Sequence, residues 1–370
     1  MLTLLIVVLI AALAFEFING FHDTANAIAT VVSTKVLTPR QAIALAAFTN
    51  LIGALWGTAV AKTIASGLVE TSIVSTNVII AALLGAIVWN LLTWWWGLPS
   101  SSSHALIGGL CGAALAAANN DLSVLIWSQP SSEHWWLGKG LLWKVIVPMF
   151  LSPLGGFILG FTVMALLYVA LLKVRPKLVN AFFGRAQILS SASMGFMHGT
   201  NDAQKTMGII ALALLGATQA GTLNDVPEWL NFLRLDPPSG GSSLEIPRWI
   251  KVVCAVVMAA GTAAGGWRII RTLGHKMVRL KPIHGFAAET SSAFVILTAT
   301  HYGIPVSTTH NISASIMGVG AAKSFNALRW HVVEQMLWAW FFTIPSSALI
   351  AYLSLDLLVW IEGLLAGFLP

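Results

Sequence analysis

Long apolar stretches follow one another through the whole chain, near 2–18, 41–61, 73–96, 103–118, 145–172, 186–215 (interrupted), 249–267, 283–302, 310–323, 330–352 and 354–369. An open strand cannot satisfy its backbone in lipid, so each stretch is read as a helix. A water-soluble core has no room for this much apolar chain. Of 370 residues 57% are hydrophobic, about 210, which is material for roughly ten crossings at ~20 residues each. Charged residues make up only 9% and mean hydropathy is +0.81. These figures specify an all-α, polytopic membrane protein. Residues 1–18 lack a basic leader and a cleavage site, so they are expected to be a retained span rather than a signal peptide.

Charge then sets the orientation. The formal balance of +6 comes from Lys and Arg confined to short stretches beside apolar spans. Positive-inside bias is the ordinary cause of that pattern, and nucleic acid is excluded as a partner. Two connections hold no acid: 173–185, with Lys173, Arg175, Lys177 and Arg185, and 268–281, with Arg268, Arg271, Lys276, Arg279 and Lys281. Both are expected to be cytoplasmic. Two longer connections, 119–144 and 222–248, mix signs (Asp121, Glu133, Lys139; Asp225, Glu228, Arg234, Asp236, Glu245) and are expected outside. With single crossings at 145–172 and 249–267, the N-terminus falls outside and Lys35 and Arg40 inside. The pairs 73–96/103–118 and 283–302/310–323 must each return to the side they left, as re-entrant hairpins or paired spans. Trp94, Trp95, Trp96, Trp135, Trp136, Trp143, Trp249 and Trp330 lie near span ends, as interface anchors do. Cys111 and Cys254 lie within apolar runs and read as small buried residues.

The chain also repeats itself. Gly20-Phe-His-Asp23-Thr-Ala-Asn26 matches Gly199-Thr-Asn-Asp202-Ala-Gln-Lys205 at an offset of 179. Gly97-Leu-Pro99-Ser-Ser-Ser-Ser103-His104 matches Gly303-Ile-Pro305-Val-Ser-Thr-Thr309-His310 at an offset of 206. The halves 1–175 and 186–370 are therefore expected to be two inverted-topology repeats. Such repeats with paired interrupted helices point to a secondary transporter with its site at the midplane.

The residues that could carry chemistry sit in these repeats. Asp23 and Asp202 lie inside apolar stretches, where a charge costs several kcal/mol unless paired, solvated or ion-bound. Gly20 with Asn19 and Asn26, and Gly199 with Asn201 and Lys205, would let the helices unwind. Freed carbonyls beside a carboxylate would then form a hard oxygen cage for a small cation. An inter-helix bond or an Asp202–Lys205 ion pair is the structural alternative. In the second motif a helix ends at Gly-x-Pro and the next opens on Ser101, Ser102 and Ser103, or on Ser307, Thr308 and Thr309. Unpaired N–H groups, hydroxyls and a partial charge of ~+0.5 at each helix start would favour a tetrahedral oxyanion; helix capping or close packing is the alternative. His104 and His310 could donate to that ligand, carry a proton or simply pack. Glu16 and Glu289 are the other acids in apolar runs, open either to a proton or cation role or to a neutral, hydrogen-bonded one. Cys and His do not occur at the spacing of a structural metal site. The usual hydrolase, ATPase and protease signatures are missing, so the chain is not read as an enzyme and the coupling energy is expected from an ion gradient.

Through these four motifs, taken in order over essentially the whole chain, the sequence resembles the inorganic phosphate transporter family, which includes bacterial low-affinity phosphate permeases. The resemblance implies an inverted-repeat fold, often a homodimer, in the cytoplasmic membrane. It also implies cation-coupled symport of inorganic phosphate with no organic cofactor. Phosphate contacts are then expected at Ser101, Ser102, Ser103, Ser307, Thr308 and Thr309, while the Lys205 ammonium, a departure from the family pattern, could take the space of one sodium or pair with phosphate directly. Cation contacts are expected at Asp23, Asn26, Asp202 and Asn201. The sodium-coupled form of the signature reads G-A-N-D-x-x-N; here His22 replaces Asn in the first copy and Lys205 replaces Asn in the second. This is closer to the proton-coupled branch. The proton is therefore the first expectation, with sodium, a divalent metal carried with phosphate, and sulfate as substrate the alternatives. Two carboxylates and a phosphate dianion, set against one ammonium and two helix ends, leave roughly two negative charges for cations to balance.

Overall fold

The computed structural model describes residues 2–129, 138–237 and 244–368; Glu133, Trp135, Trp136 and the middle of the second long connection lie outside the described residues. All regular elements there are helical apart from two isolated β-bridges. The α-helices are α1 (Leu2–Ser33), α2 (Pro39–Ala54), α3 (Ala59–Ser66), α4 (Thr76–Trp96), α5 (Ser102–Ala117), α6 (Val147–Ala170), α7 (Pro176–Gln219), α8 (Arg248–Ala264), α9 (Trp267–Arg271), α10 (Pro282–His301), α11 (Thr308–Lys323) and α12 (Trp330–Phe368).

The two central helices, α1 and α7, are longer than the sequence motifs imply. Both run unbroken through the Gly-x-x-Asp segments, so the expected interruption in 186–215 and the expected unwinding at Gly20 and Gly199 do not occur. The glycines serve close approach instead. A Cβ on Gly20 would overlap the Met258 carbonyl of α8, while Gly261 of α8 faces the Phe17 carbonyl of α1. Gly199 meets the Asn50 backbone of α2, and Gly53 of α2 meets the Phe196 carbonyl of α7. In lipid, helix association rests on such backbone contact, because burying apolar surface offers little when the solvent is itself apolar.

Breaks fall elsewhere. The span near 41–61 bends by 70° between α2 and α3, and the span near 249–267 bends by 59° between α8 and α9. The stretches 330–352 and 354–369 join into the single helix α12, where the Ser354 hydroxyl is satisfied by the Ile350 carbonyl at 2.7 Å. Among the described residues, four helices are long and apolar enough to cross a membrane, or up to six spans if each bent pair counts as one. Composition alone counts more, because α7 and α10 carry polar side chains and α5 and α11 are short. At ~1.5 Å per residue each of those two 16-residue helices is about 24 Å long, less than the ~30 Å hydrocarbon core.

The two expected hairpins are α4–α5 and α10–α11. Gly97 caps α4 with φ +67° and Gly303 follows α10 with φ +62°, a left-handed backbone that costs other residues ~1–2 kcal/mol. A proline follows two residues later in each. Ser101 and Ser307 then N-cap the next helix, each hydroxyl accepting from a backbone N–H three residues on, His104 or His310, at 3.1 Å. The bases of the hairpins lie at opposite ends of α6. The first adjoins the 122–129 segment, which bonds through Ile126 to Leu68 and to Leu141 just before α6. The second, with Lys281 and Lys323, shares a cavity with Leu171 and Leu172 at the end of α6. The tips meet in the middle, where the Ser103 hydroxyl donates to the Val306 carbonyl at 3.3 Å.

Two apolar cores flank this meeting point. One takes Leu5, Val8, Ala12 and Phe15 of α1 with Ala203 and Met207 of α7; the other takes Ala25, Ile28 and Val31 of α1 with Met194 of α7. Between them the residues that α1 and α7 bury are polar or small: Asn19, Gly20, His22, Asp23 and Thr24, and His198 to Asp202.

Candidate functional site

The polar belt is assembled from both central helices and both hairpin tips. Asp23 receives the Ser102 hydroxyl on Oδ2 at 2.6 Å, faces His22 Nδ1 at 2.6 Å, and receives Thr309 at 3.4 Å. Asp202 pairs with the Lys205 ammonium at 2.5 Å, lies 3.2 Å from His198 Nε2, and receives the Thr308 hydroxyl at 3.1 Å. Asn26 donates to Thr308 at 3.2 Å and to Thr309 at 2.8 Å. Lys205 donates to the Ser103 hydroxyl and, at 3.0 Å, to the Val306 carbonyl. Asp23, Asp202 and Lys205 are 2%, 0% and 1% exposed, so every one of these interactions operates away from water.

The bonds obey the sequence repeat. Ser102 serves Asp23 as Thr308 serves Asp202, within each half. Asn26 reaches across to Thr309 as Lys205 reaches across to Ser103, between halves. Each tip is therefore tied to both central helices, which follows from the helical face: residues at i and i+3 on α1 and α7 lie side by side and address neighbouring hydroxyls on the opposing helix start.

The remaining candidates fall into three groups. Ser101 and Ser307 turn their hydroxyls to their own helices as caps. His104 and His310 meet each other edge-on with ring centroids 4.8 Å apart, and His310 stacks on Trp340 at 4.1 Å. The Trp340 indole in turn donates to the Pro99 carbonyl at 3.1 Å, so the histidines form a clamp behind the tips rather than contacts to the aspartates. Glu16 accepts the Thr206 hydroxyl, and Glu289 accepts those of Thr30 and Ser190 and the Gln187 amide at 3.3 Å. These partners are neutral donors, and Glu16 and Thr30 lie about two helical turns along α1 on either side of Asp23. Asn201 donates to Thr300 at 2.8 Å and to the Ile304 carbonyl at 3.3 Å, holding the second tip.

Two features of the belt suit cations. The side-chain oxygens of Asn19, Asn26 and Asn201 have no hydrogen-bond partner among the described residues, although they are buried. Such hard oxygens beside carboxylates are the donor set that small cations take. Asp23, His198 and Asp202 each offer one ligand atom, all within 4.8 Å of one another, so two carboxylates and an imidazole can close on one ion.

Sequence reasoning did not single out His198. It aligns with Asn19 at the 179 offset, while Asn201 aligns with His22, so the two halves exchange the His and Asn positions. Its i, i+4 spacing from Asp202 was the available signal. The outer partners also went unread: Thr93 and Ser100 around His22 at 3.2 and 3.4 Å, and Asn50, 3.1 Å from His198.

Comparison with known proteins gives a consistent result. The sequence model of the family described as "Phosphate transporter family" matches residues 19–351. The chain is 45% identical over 362 residues to a protein of Mycobacterium tuberculosis named "Probable low-affinity inorganic phosphate transporter", covering 98% of this chain and 79% of that one. It is 43% identical over 363 residues to a Bacillus subtilis protein of the same name, covering 97% and 99%. Among solved structures, "The sodium-dependent phosphate transporter" superposes with a TM-score of 0.75 at 24% identity, covering 97% of this chain and 100% of that one, a likeness of fold.

Proposed function

The chain belongs to the phosphate transporter family, and we propose that it imports inorganic phosphate by symport with a cation, with the proton as the coupling ion. The observation that carries this reading is the competition built into the belt. The hydroxyls of Ser102 and Thr308, at the starts of α5 and α11, are the donors an oxyanion would need, and each is held by an aspartate. A carboxylate that takes up a proton or a metal ion loses its claim on the hydroxyl, which can then turn to the anion. The anion alone would face two negative charges at a dry site, a cost of several kcal/mol in a membrane interior. Cation and phosphate therefore enter together, and the mutually neutralised load passes beneath the apolar cores. Phosphate would be held by Ser102, Ser103, Thr308 and Thr309 with the Lys205 ammonium, a set contributed by both tips.

The proton is favoured by the two places where sodium-type Asn is replaced. Lys205 already spends a fixed charge on Asp202, and His22 sits 2.6 Å from Asp23, giving that half a proton-exchanging pair. Sodium is the second reading, supported by the unpaired oxygens of Asn19, Asn26 and Asn201. The three-ligand group of Asp23, His198 and Asp202 would admit a divalent metal carried with phosphate. We further propose inverted-topology halves with the N-terminus outside. Supporting this, the hairpin bases lie at opposite ends of α6. The end of α1 also meets the second basic connection, through Ser33 and the Gly274 carbonyl.

The test is uptake of radiolabelled phosphate into proteoliposomes under imposed proton or sodium gradients, with and without Mg²⁺ and with sulfate as competitor. Uptake driven by the proton gradient and resistant to sulfate is the expected result. Uptake that needs sodium would transfer the coupling to the amide oxygens, and flux indifferent to any gradient would refute symport.

A further inference from the structure

Away from the central belt, positive charge also faces a cavity at the basic end of the bundle. A cavity of about 520 Å³ opens between the end of α6, the start of α7, the start of α10 and the end of α11. Lys281 and Lys323 line it, one from each arm of the second hairpin, and no acid does. Both basic connections converge here, the first through Val174 and Pro176 and the second through Lys281.

Its polar wall has a defined donor. His284 Nδ1 accepts from the Lys281 backbone N–H at 3.0 Å, which places the imidazole hydrogen on Nε2. That hydrogen then goes to the Tyr168 oxygen at 2.9 Å, leaving the Tyr168 O–H free to donate into the cavity it lines. Two ammonium groups and an oriented phenol suit a phosphate oxygen anion. The lining beside Tyr168 is apolar, formed by Leu167, Leu171 and Leu172 at the end of α6, and Leu172 is 77% exposed. A bare phosphate would leave that wall and most of the volume without a partner. A phosphodiester attached to acyl chains would use both.

We propose that this cavity binds one anionic phospholipid, with its headgroup phosphate between Lys281, Lys323 and Tyr168 and its chains along the leucines of α6. Basic pockets between membrane helices on the cytoplasmic side recognise anionic headgroups in this manner. The lipid would join α6 and α7 to the base of the hairpin that carries Thr308 and Thr309, so its occupancy would bear on how that hairpin moves.

The experiment is native mass spectrometry of the delipidated full-length chain titrated with phosphatidylglycerol, phosphatidylcholine or inorganic phosphate. The wild type should retain phosphatidylglycerol at least tenfold better than phosphatidylcholine. The double variant Lys281→Gln/Lys323→Gln should lose that preference, and Tyr168→Phe, which removes one hydroxyl and preserves packing, should weaken it severalfold. Thermal unfolding close to the wild type marks each variant as folded. Equal retention of phosphatidylglycerol by the wild type and the variants would overturn the proposal. Displacement of phosphatidylglycerol by inorganic phosphate would overturn it as well, by showing that the site reads the bare anion.

Discussion

Replacing Lys205 by Asn makes the second half of the belt resemble the first. The ammonium has three acceptors, Asp202, Ser103 and the Val306 carbonyl, and is 1% exposed. Asn26, at the matching position, reaches its hydroxyl at 2.8 Å, so the new amide can still serve Ser103. What it cannot do is neutralise Asp202. Removing one partner of a buried ion pair costs ~3–5 kcal/mol when the other charge is left uncompensated. In sodium-free buffer at neutral pH, Lys205→Asn should therefore unfold at a markedly lower temperature than the wild type. A cation that binds the native state returns stability as RT ln(1 + [L]/Kd), about 2.7 kcal/mol at a hundred times Kd, so sodium should recover much of the loss. Wild type, with its own ammonium in place, should respond less. The assay is thermal unfolding in detergent across a sodium titration, paired with phosphate uptake under proton or sodium gradients. If the variant is as stable as the wild type and its ion dependence is unchanged, Lys205 is not the charge that stands in for a coupling cation.

Asp23→Asn and Asp202→Asn should each abolish gradient-driven phosphate uptake in proteoliposomes, and near-normal uptake by both would sink the coupling scheme. Ser102→Ala and Thr308→Ala each remove a donor of the kind worth ~1.5–3 kcal/mol to a charged acceptor, so each should raise the KM for phosphate roughly 10- to 100-fold at ~1.4 kcal/mol per decade; an unchanged KM would place phosphate elsewhere. Gly20→Ala drives a methyl into the Met258 carbonyl and should cost ~1–3 kcal/mol in thermal unfolding, whereas Gly184→Ala on α7, with nothing within 4 Å, should be neutral or slightly stabilising.

The hairpins were legible because their signals are local: a left-handed glycine, a proline and a hydroxyl cap all lie within a few residues. The acids were legible for a different reason, since Asp23 and Asp202 in apolar runs demand partners wherever the chain takes them. The continuous course of α1 and α7 was not legible. A glycine beside Asn and Asp permits unwinding and close packing alike, and what decides is the carbonyl of α8 or α2 lying against it, a partner distant in sequence. His198 was missed for a related reason. The repeat aligns it with Asn19, and only the helical turn, which places i and i+4 on one face, brings it to Asp202. The bend between α2 and α3 did carry a local signal, the left-handed Gly57, which the reading of 41–61 as one stretch passed over.

The pairing of hydroxyls with acids bears on how such a belt can open toward either side. A tip that bonded only its own half could swing away without disturbing the other. Here Ser102 holds Asp23 while its neighbour Ser103 holds Lys205, and Thr308 holds Asp202 while Thr309 holds Asn26. Moving either tip therefore disturbs a carboxylate in one half and a donor in the other. The repeat gives both tips the same bond pattern, on which the proposed alternation of access between the two sides would rest. The symmetry fails where Lys205 stands opposite Asn26 and where His and Asn change places. Asp202 is paired with the Lys205 ammonium, whereas the ion-pair partner of Asp23 among the described residues is the His22 imidazole. On the proposed mechanism, then, Asp23 depends on an incoming cation to release the Ser102 hydroxyl, whereas at Asp202 the Lys205 ammonium already supplies part of the countercharge that frees Thr308.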